Sequence, residues 1–214
     1  MGLLILVELA ALAVSIWNYR RHRTLRIFTW YTMFSLVQLW FEFVYVNAGE
    51  PVILRNIGGG ISNVFMLFEF LVCILYIVRN ISSRSRKIAI FINAALYLGL
   101  IVAASLRNYH ILYRSSFFFT ESFFLLLPCL LYFYDLFVSG HPVLLKNEPA
   151  FWIVTGFLFL NAGSIPMYIA EEFGDHYSIA IYSLNYILYT VLFVLLIRAY
   201  RCPPVNPSLH ARTQ

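Results

Sequence analysis

Charge is scarce in this chain, and the places where it is missing say most about the fold. Of 214 residues only 12% are Asp, Glu, Lys or Arg, whereas 61% are hydrophobic and the mean hydropathy is +0.77. A water-soluble domain of this size cannot absorb that much apolar surface. No Lys or Arg occurs in residues 1–19, 27–54, 56–78, 88–106, 115–145 or 147–197. Cysteine is nearly as rare: Cys73 and Cys129 fall inside apolar runs and Cys202 lies just beyond the last one, so no disulfide framework is expected. The five histidines, His22, His110, His141, His176 and His210, all fall in loops or the tail. Without an imidazole pair in an apolar run, the sequence predicts neither haem ligation nor an intramembrane zinc hydrolase. The last apolar run has no lysine for a retinal Schiff base, and no serine has a buried His or Lys partner. The reading is therefore of a non-enzyme with no cofactor and no metal site. Glu50, His110 and His176 read as solvated loop residues.

What remains is a succession of apolar runs about 20 residues long, the length that roughly 30 Å of hydrocarbon demands of a helix rising about 1.5 Å per residue. They predict helices over 2–18, 25–47, 61–79, 88–106, 117–138, 150–170 and 178–198. Runs such as Phe123 to Leu131 are apolar on every side, which excludes the alternating strands of a barrel. The fold class is all-α, an integral membrane bundle of seven helices forming one domain over residues 1–200. The tail, 201–214, carries Pro203, Pro204 and Pro207 and reads as disordered. Loops are about a dozen residues at most, so no soluble domain is inserted.

Basic residues set the orientation, because Lys and Arg in short loops stay on the cytoplasmic side. Arg20, Arg21, Arg23, Arg26, Arg79, Arg84, Arg86, Lys87, Lys146, Arg198, Arg201 and Arg212 fall on one side, against Arg55, Arg107 and Arg114 on the other. Seven spans, N-terminus outside and C-terminus cytoplasmic, satisfy this pattern. The first run is retained rather than cleaved as a signal peptide: no basic residue precedes it and Glu8 lies within it. The net charge of +5 is thus a matter of topology, and the partner it implies is the lipid bilayer rather than nucleic acid. Cys202, beside the membrane, is a candidate for acylation, and the sequon at Asn80 falls on the cytoplasmic side, where it goes unused.

Four carboxylates, Glu8, Glu42, Glu69 and Glu121, lie within these spans, where each costs roughly 2.5–3.5 kcal/mol if it faces lipid. They are expected to face inward, in the outer half of the bundle. Residues three and four apart share a helix face. In the second helix Tyr31, Ser35, Gln38, Glu42 and Tyr45 form one polar stripe; in the seventh Ser178, Tyr182, Asn185 and Tyr189 do the same. The third offers Ser62, Glu69 and Cys73, the fifth Glu121, Pro128, Tyr132 and Asp135, and the sixth Asn161, Ser164 and Tyr168. The fourth has scattered Asn93, Tyr97 and Ser105 and is the expected peripheral member. Singly, the Ser, Asn and Tyr residues read as interhelical glue. Together with the carboxylates, Gln38, Tyr45, Asn161, Tyr182 and Asn185 are the candidate lining of an outward-facing polar cavity for a small polar or cationic ligand, or for protons. Pro128 and Pro166 interrupt two helices, and Gly156 and Gly163 predict close approach of the sixth helix to a neighbour.

The segments Tyr132-Phe133-Tyr134-Asp135-Leu136-Phe137 and Pro149-Ala150-Phe151-Trp152-Ile153, followed by Gly156, Gly163 and Pro166, give the last third of the chain a resemblance to small seven-helix membrane proteins of Bacteroidota, which are similar to the membrane sensor domains of histidine kinases. The resemblance implies a place in a bacterial inner membrane and a sensory role exercised through a cytoplasmic or membrane signalling partner; this chain departs in carrying no kinase domain. A sensory, receptor-like module is the first reading. A small transporter with a three-plus-one-plus-three helix layout, suggested by Glu8 against Glu121 and Arg79 against Arg198, is the second, and a lipid-modifying enzyme the third.

Overall fold

In a chain this apolar each segment must satisfy its own backbone, and helices are the local solution. The computed structural model describes residues 2–47, 52–107, 115–138, 145–173 and 179–203, with side chains 42, 43, 45–47, 52–59, 105, 107, 115, 116, 171–173 and 179–182 outside that description. Among the described residues there are seven α-helices and no strand: α1 Gly2–Trp17, α2 Arg26–Asn47, α3 Val52–Asn80, α4 Arg84–Arg107, α5 Ser115–Val138, α6 Pro149–Phe173 and α7 Ile179–Tyr200. Short 3-10 turns at Arg23–Leu25 and Leu145–Asn147 lead into α2 and α6. Pro149 opens α6, where its missing N–H costs nothing. α3 starts earlier than the predicted residue 61: the helix begins at Val52 and continues through Gly58, Gly59 and Gly60. α4 likewise takes in Arg84, Arg86 and Lys87.

Five stretches, 60–80, 84–104, 117–138, 149–170 and 183–200, are long and apolar enough to cross a membrane. α1 is apolar but shorter, at 16 residues, and the side chains of α2 are described continuously only to Phe41. Large apolar side chains stand exposed on every helix: Leu6, Trp30, Leu75, Phe91, Phe137, Phe159 and Ile187 are among them. So much bare apolar surface suits lipid and not water.

Packing runs in a closed order. α1 contacts α2, α2 contacts α3, α3 contacts α5, α5 contacts α6, α6 contacts α7, and α7 returns to α1. α4 packs outside this ring of six, mainly on α5 and less on α3. α6 and α7 pack the most extensively. A methyl group added at Gly156 would meet Leu192 Cδ1 at 2.7 Å, and one at Gly163 would meet Leu188 Cδ2 at 2.7 Å. The two glycines, as their spacing predicts, let α7 lie directly on α6.

Most of the basic residues lie at one end, where specific bonds join the helix connections. The Tyr200 hydroxyl, at the end of α7, donates to Leu25 O at 2.8 Å and lies 3.2 Å from Thr29 Oγ1 of α2. Arg198 donates to Lys146 O at 3.2 Å. Asp135 of α5 accepts from Ser82 N at 2.9 Å and from Arg86, which also lies over the Tyr134 ring, 5.4 Å from its centroid. The connections α1–α2, α3–α4 and α5–α6 and the end of α7 therefore share one face. Cys202 is buried there, its thiol 3.5 Å from Arg198 O, and burial pushes its pKa up. A thiol so placed is a poor acylation target, contrary to the expectation from its position in the sequence.

Candidate functional site

Glu69 of α3 and Glu121 of α5 are 4% and 6% exposed, on helices that pack against each other, and each lies within electrostatic reach of the other. A buried carboxyl needs donors. Two phenols face Glu69: Tyr31 from α2 and Tyr189 from α7 both lie beside its carboxyl. The Tyr31 hydroxyl is buried and makes no hydrogen bond of full geometry. Glu121 is served less well, and its Oε1 is buried with no partner. Tyr97, fully buried on α4, comes within electrostatic reach of both carboxyls, and its hydroxyl also has no partner. Among the described residues no Lys or Arg comes from the interior of a span to neutralise the pair.

Glu8 of α1, 1% exposed, accepts a hydrogen bond from Ser35 Oγ of α2 at 3.0 Å and lies within reach of Tyr31. Five helices of the ring together with α4 thus deliver acidic and phenolic groups to one region. The Asn161 amide donates to Phe157 O of its own helix at 2.7 Å, as the Ser164 hydroxyl does to Leu160 O at 2.7 Å. Asn185 is half-buried with its Oδ1 unpartnered, and Gln38 is half-buried on α2. Glu42, Tyr45 and Tyr182, also expected at the site, lie outside the described side chains.

Toward the basic end the ring is plugged. Tyr31 stacks on Phe65 and Phe193, with centroids at 5.6 and 6.1 Å, and meets Phe157 edge-on at 5.9 Å. Phe28 packs beneath it against Tyr76 at 4.9 Å. Tyr31, Phe28, Phe157 and Phe193 are each at most 1% exposed. The rings of Phe28, Tyr76, Phe157 and Phe193, from α2, α3, α6 and α7, form an aromatic layer on the basic-end side of the carboxyls, whereas Phe65 lies one turn to the other side of Glu69 along α3.

Tyr97 was legible only as an isolated polar residue on a peripheral helix. The buried series Ile90, Asn93, Ala94 and Tyr97, at steps of three, one and three, marks the narrow face by which α4 docks. Cys73 and Cys129 are buried thiols that meet between α3 and α5, one turn along α3 from Glu69. Among the described residues no group of three or more His, Cys, Asp or Glu could hold a metal ion. No protein-family model, curated protein or solved structure matches the chain.

Proposed function

We propose that this multi-pass membrane protein is a sensory module whose buried Glu69–Glu121 pair takes up a small cation or a proton, and that the change is passed to a signalling partner at the basic end. The supporting observation is the pair itself: two carboxyls from facing helices, with Glu121 Oε1 unpartnered, among phenols and without a cationic side chain. Buried carboxyls are costly and are kept where they do work. A bound cation would supply the missing charge and draw α3 and α5, and through Tyr189 and Tyr31 also α7 and α2, into a tighter arrangement.

The gathering of basic residues at one end supports a cytoplasmic location for it, with seven spans and the N-terminus outside. Labelling by an impermeant maleimide of a cysteine introduced at His110 in intact cells, against one introduced at Arg212, tests that orientation. The three-plus-one-plus-three transporter has one observation in its favour, the ring in which α1–α3 and α5–α7 form two arcs with α4 outside. The aromatic layer weighs against it, since a solute would have to displace four packed rings to leave.

The test is a thermal-shift screen of purified protein with small cationic and polar compounds, run beside Glu69→Gln and Glu121→Gln. Stabilisation of the wild type that both variants lose is the expected result. Variants that melt and respond as the wild type does would leave the carboxyls with a packing role and remove the proposal.

A further inference from the structure

The aromatic layer closes the middle of the ring but not its α3–α5 seam. Along α3, Glu69, Cys73 and Tyr76 follow at steps of four and three, and all are at most 5% exposed. Along α5, Glu121, Cys129, Tyr132 and Asp135 are all at most 6% exposed, with Tyr132 and Asp135 on the face that Glu121 begins. The two series interleave: Glu121 faces Glu69, the Cys73 and Cys129 thiols meet, and Tyr132 lies within electrostatic reach of both Tyr76 and Asp135. Asp135 is then fixed at the basic end by Ser82 N and Arg86. From Glu121 to Asp135 is fourteen residues of α5, about 21 Å at 1.5 Å per residue, against roughly 30 Å of hydrocarbon. Titratable or hydroxyl-bearing groups therefore cross most of the apolar slab along one helix interface. Interhelical adhesion would need only one or two of them.

We propose that the α3–α5 seam is a proton path joining the Glu69–Glu121 pair to the basic end at Asp135, by way of Cys73, Cys129 and Tyr132. The chemistry suits a relay. A phenol or thiol both donates and accepts, so it can release its own proton to one neighbour as it receives another and return to its starting state by rotation of its S–H or O–H bond. A proton entering at Asp135 passes to Tyr132, displaces a proton toward the two thiols, and one proton arrives on Glu69 or Glu121; each relay atom ends with the proton count it began with. Steps of one helical turn, about 5.4 Å, are within the span that a single water can bridge. Leu125, between Glu121 and Cys129 on α5, and Phe70, next to Glu69 on α3, are fully buried, so apolar side chains separate the polar groups of the path. The other groups that face the pair are Tyr31 from α2 with Glu8 of α1 beyond it, Tyr97 from α4, and Tyr189 of α7 with Tyr168 of α6 beyond it. None of them is cationic, so no fixed positive charge faces the pair; the Arg86 guanidinium stands at the entrance of the path, paired with Asp135.

The proposal rests on the proton-linked form of the reading above, and its test is separate. Purified protein is reconstituted in liposomes loaded with a pH-sensitive dye, an external pH step is applied, and valinomycin with potassium clamps the potential. Dye response several-fold faster than in empty liposomes, falling to the empty-liposome rate in Glu69→Gln and in Tyr132→Phe, is the expected result; the melting temperature of each variant verifies its fold. Cys73→Ala with Cys129→Ala gives a second interruption if Tyr132→Phe fails to fold. A wild-type rate equal to that of empty liposomes, or a rate that folded Tyr132→Phe and the double alanine variant both retain, overturns the path. The thermal-shift result at Glu69 is unaffected by either outcome, so failure of the path and failure of the ligand site are distinguishable.

Discussion

Proline in a helix leaves one carbonyl without its donor, the one four residues earlier. For Pro128 that is the carbonyl of Phe124, and Asn93 Nδ2 of α4 donates to it at 2.8 Å. Two residues that read separately as a kink and as an isolated polar side chain are one device: the proline exposes an acceptor, and the asparagine uses it to anchor the peripheral helix. Asn93→Ala is expected to lower stability by about 1–3 kcal/mol, the cost of an unsatisfied buried carbonyl. Pro128→Ala restores the internal helix bond and is expected to rescue most of that loss in the double variant. Melting of the four proteins in a double-mutant cycle reads the coupling, and purely additive losses would break the connection. The same lesson holds at Asn161 and Ser164. Their spacing marked them as polar and inward, yet each bonds back to its own helix, a choice that periodicity alone does not reveal.

Among the elements, α6 and α7 show how much of the fold was legible. Gly156 and Gly163, seven apart, predict a close helix contact, and α7 lies against both. The extents of α5, α6 and α7 follow from apolar runs bounded by charges and prolines. The start of α3 did not follow, because three consecutive glycines carry a local preference for a break that the helix overrides. At the site, inward-facing Glu8, Glu69 and Glu121 followed from the cost of charge in hydrocarbon, whereas the role of Tyr97 depends on which helix α4 packs against, and nothing local in the sequence encodes that. For the α6–α7 contact, Gly156→Leu is expected to destabilise by about 1–3 kcal/mol through overpacking. Leu192 and its backbone stand in the way, Cδ1 at 2.7 Å and Cα at 3.5 Å. Gly156→Ala is expected to cost less, since its nearest obstacle is the terminal methyl of one side chain. Detergent melting curves of the two variants check the order; a leucine variant as stable as the wild type would mean that α7 does not lie where the glycines place it.

At the scale of the whole molecule, the ring depends on α7 closing back on α1 and α2, and at the basic end that closure passes through His22 and Tyr200. His22 is 4% exposed in the α1–α2 connection, its ring edge-on to Tyr200 at 6.5 Å, and its Nε2 has no partner. Burial and then the neighbouring Arg21 charge hold its pKa below the ordinary value of 6.5, while a hydrogen bond to the Tyr200 backbone opposes them. The folded protein therefore prefers neutral His22, and the unfolded chain binds the proton more readily. Stability from this residue is complete above about pH 6.5 and is lost as pH falls through the lower, folded value. Replacing it with a side chain that keeps a donor but cannot titrate separates this effect from the carboxylates, which titrate in both proteins. The melting temperature of the wild type is expected to fall more steeply than that of His22→Gln between about pH 6.5 and 5. Parallel curves would show that the closure does not depend on a neutral imidazole. A steeper wild-type curve would identify the joint by which conditions at the basic end act on the closure of the ring that holds the carboxyl pair.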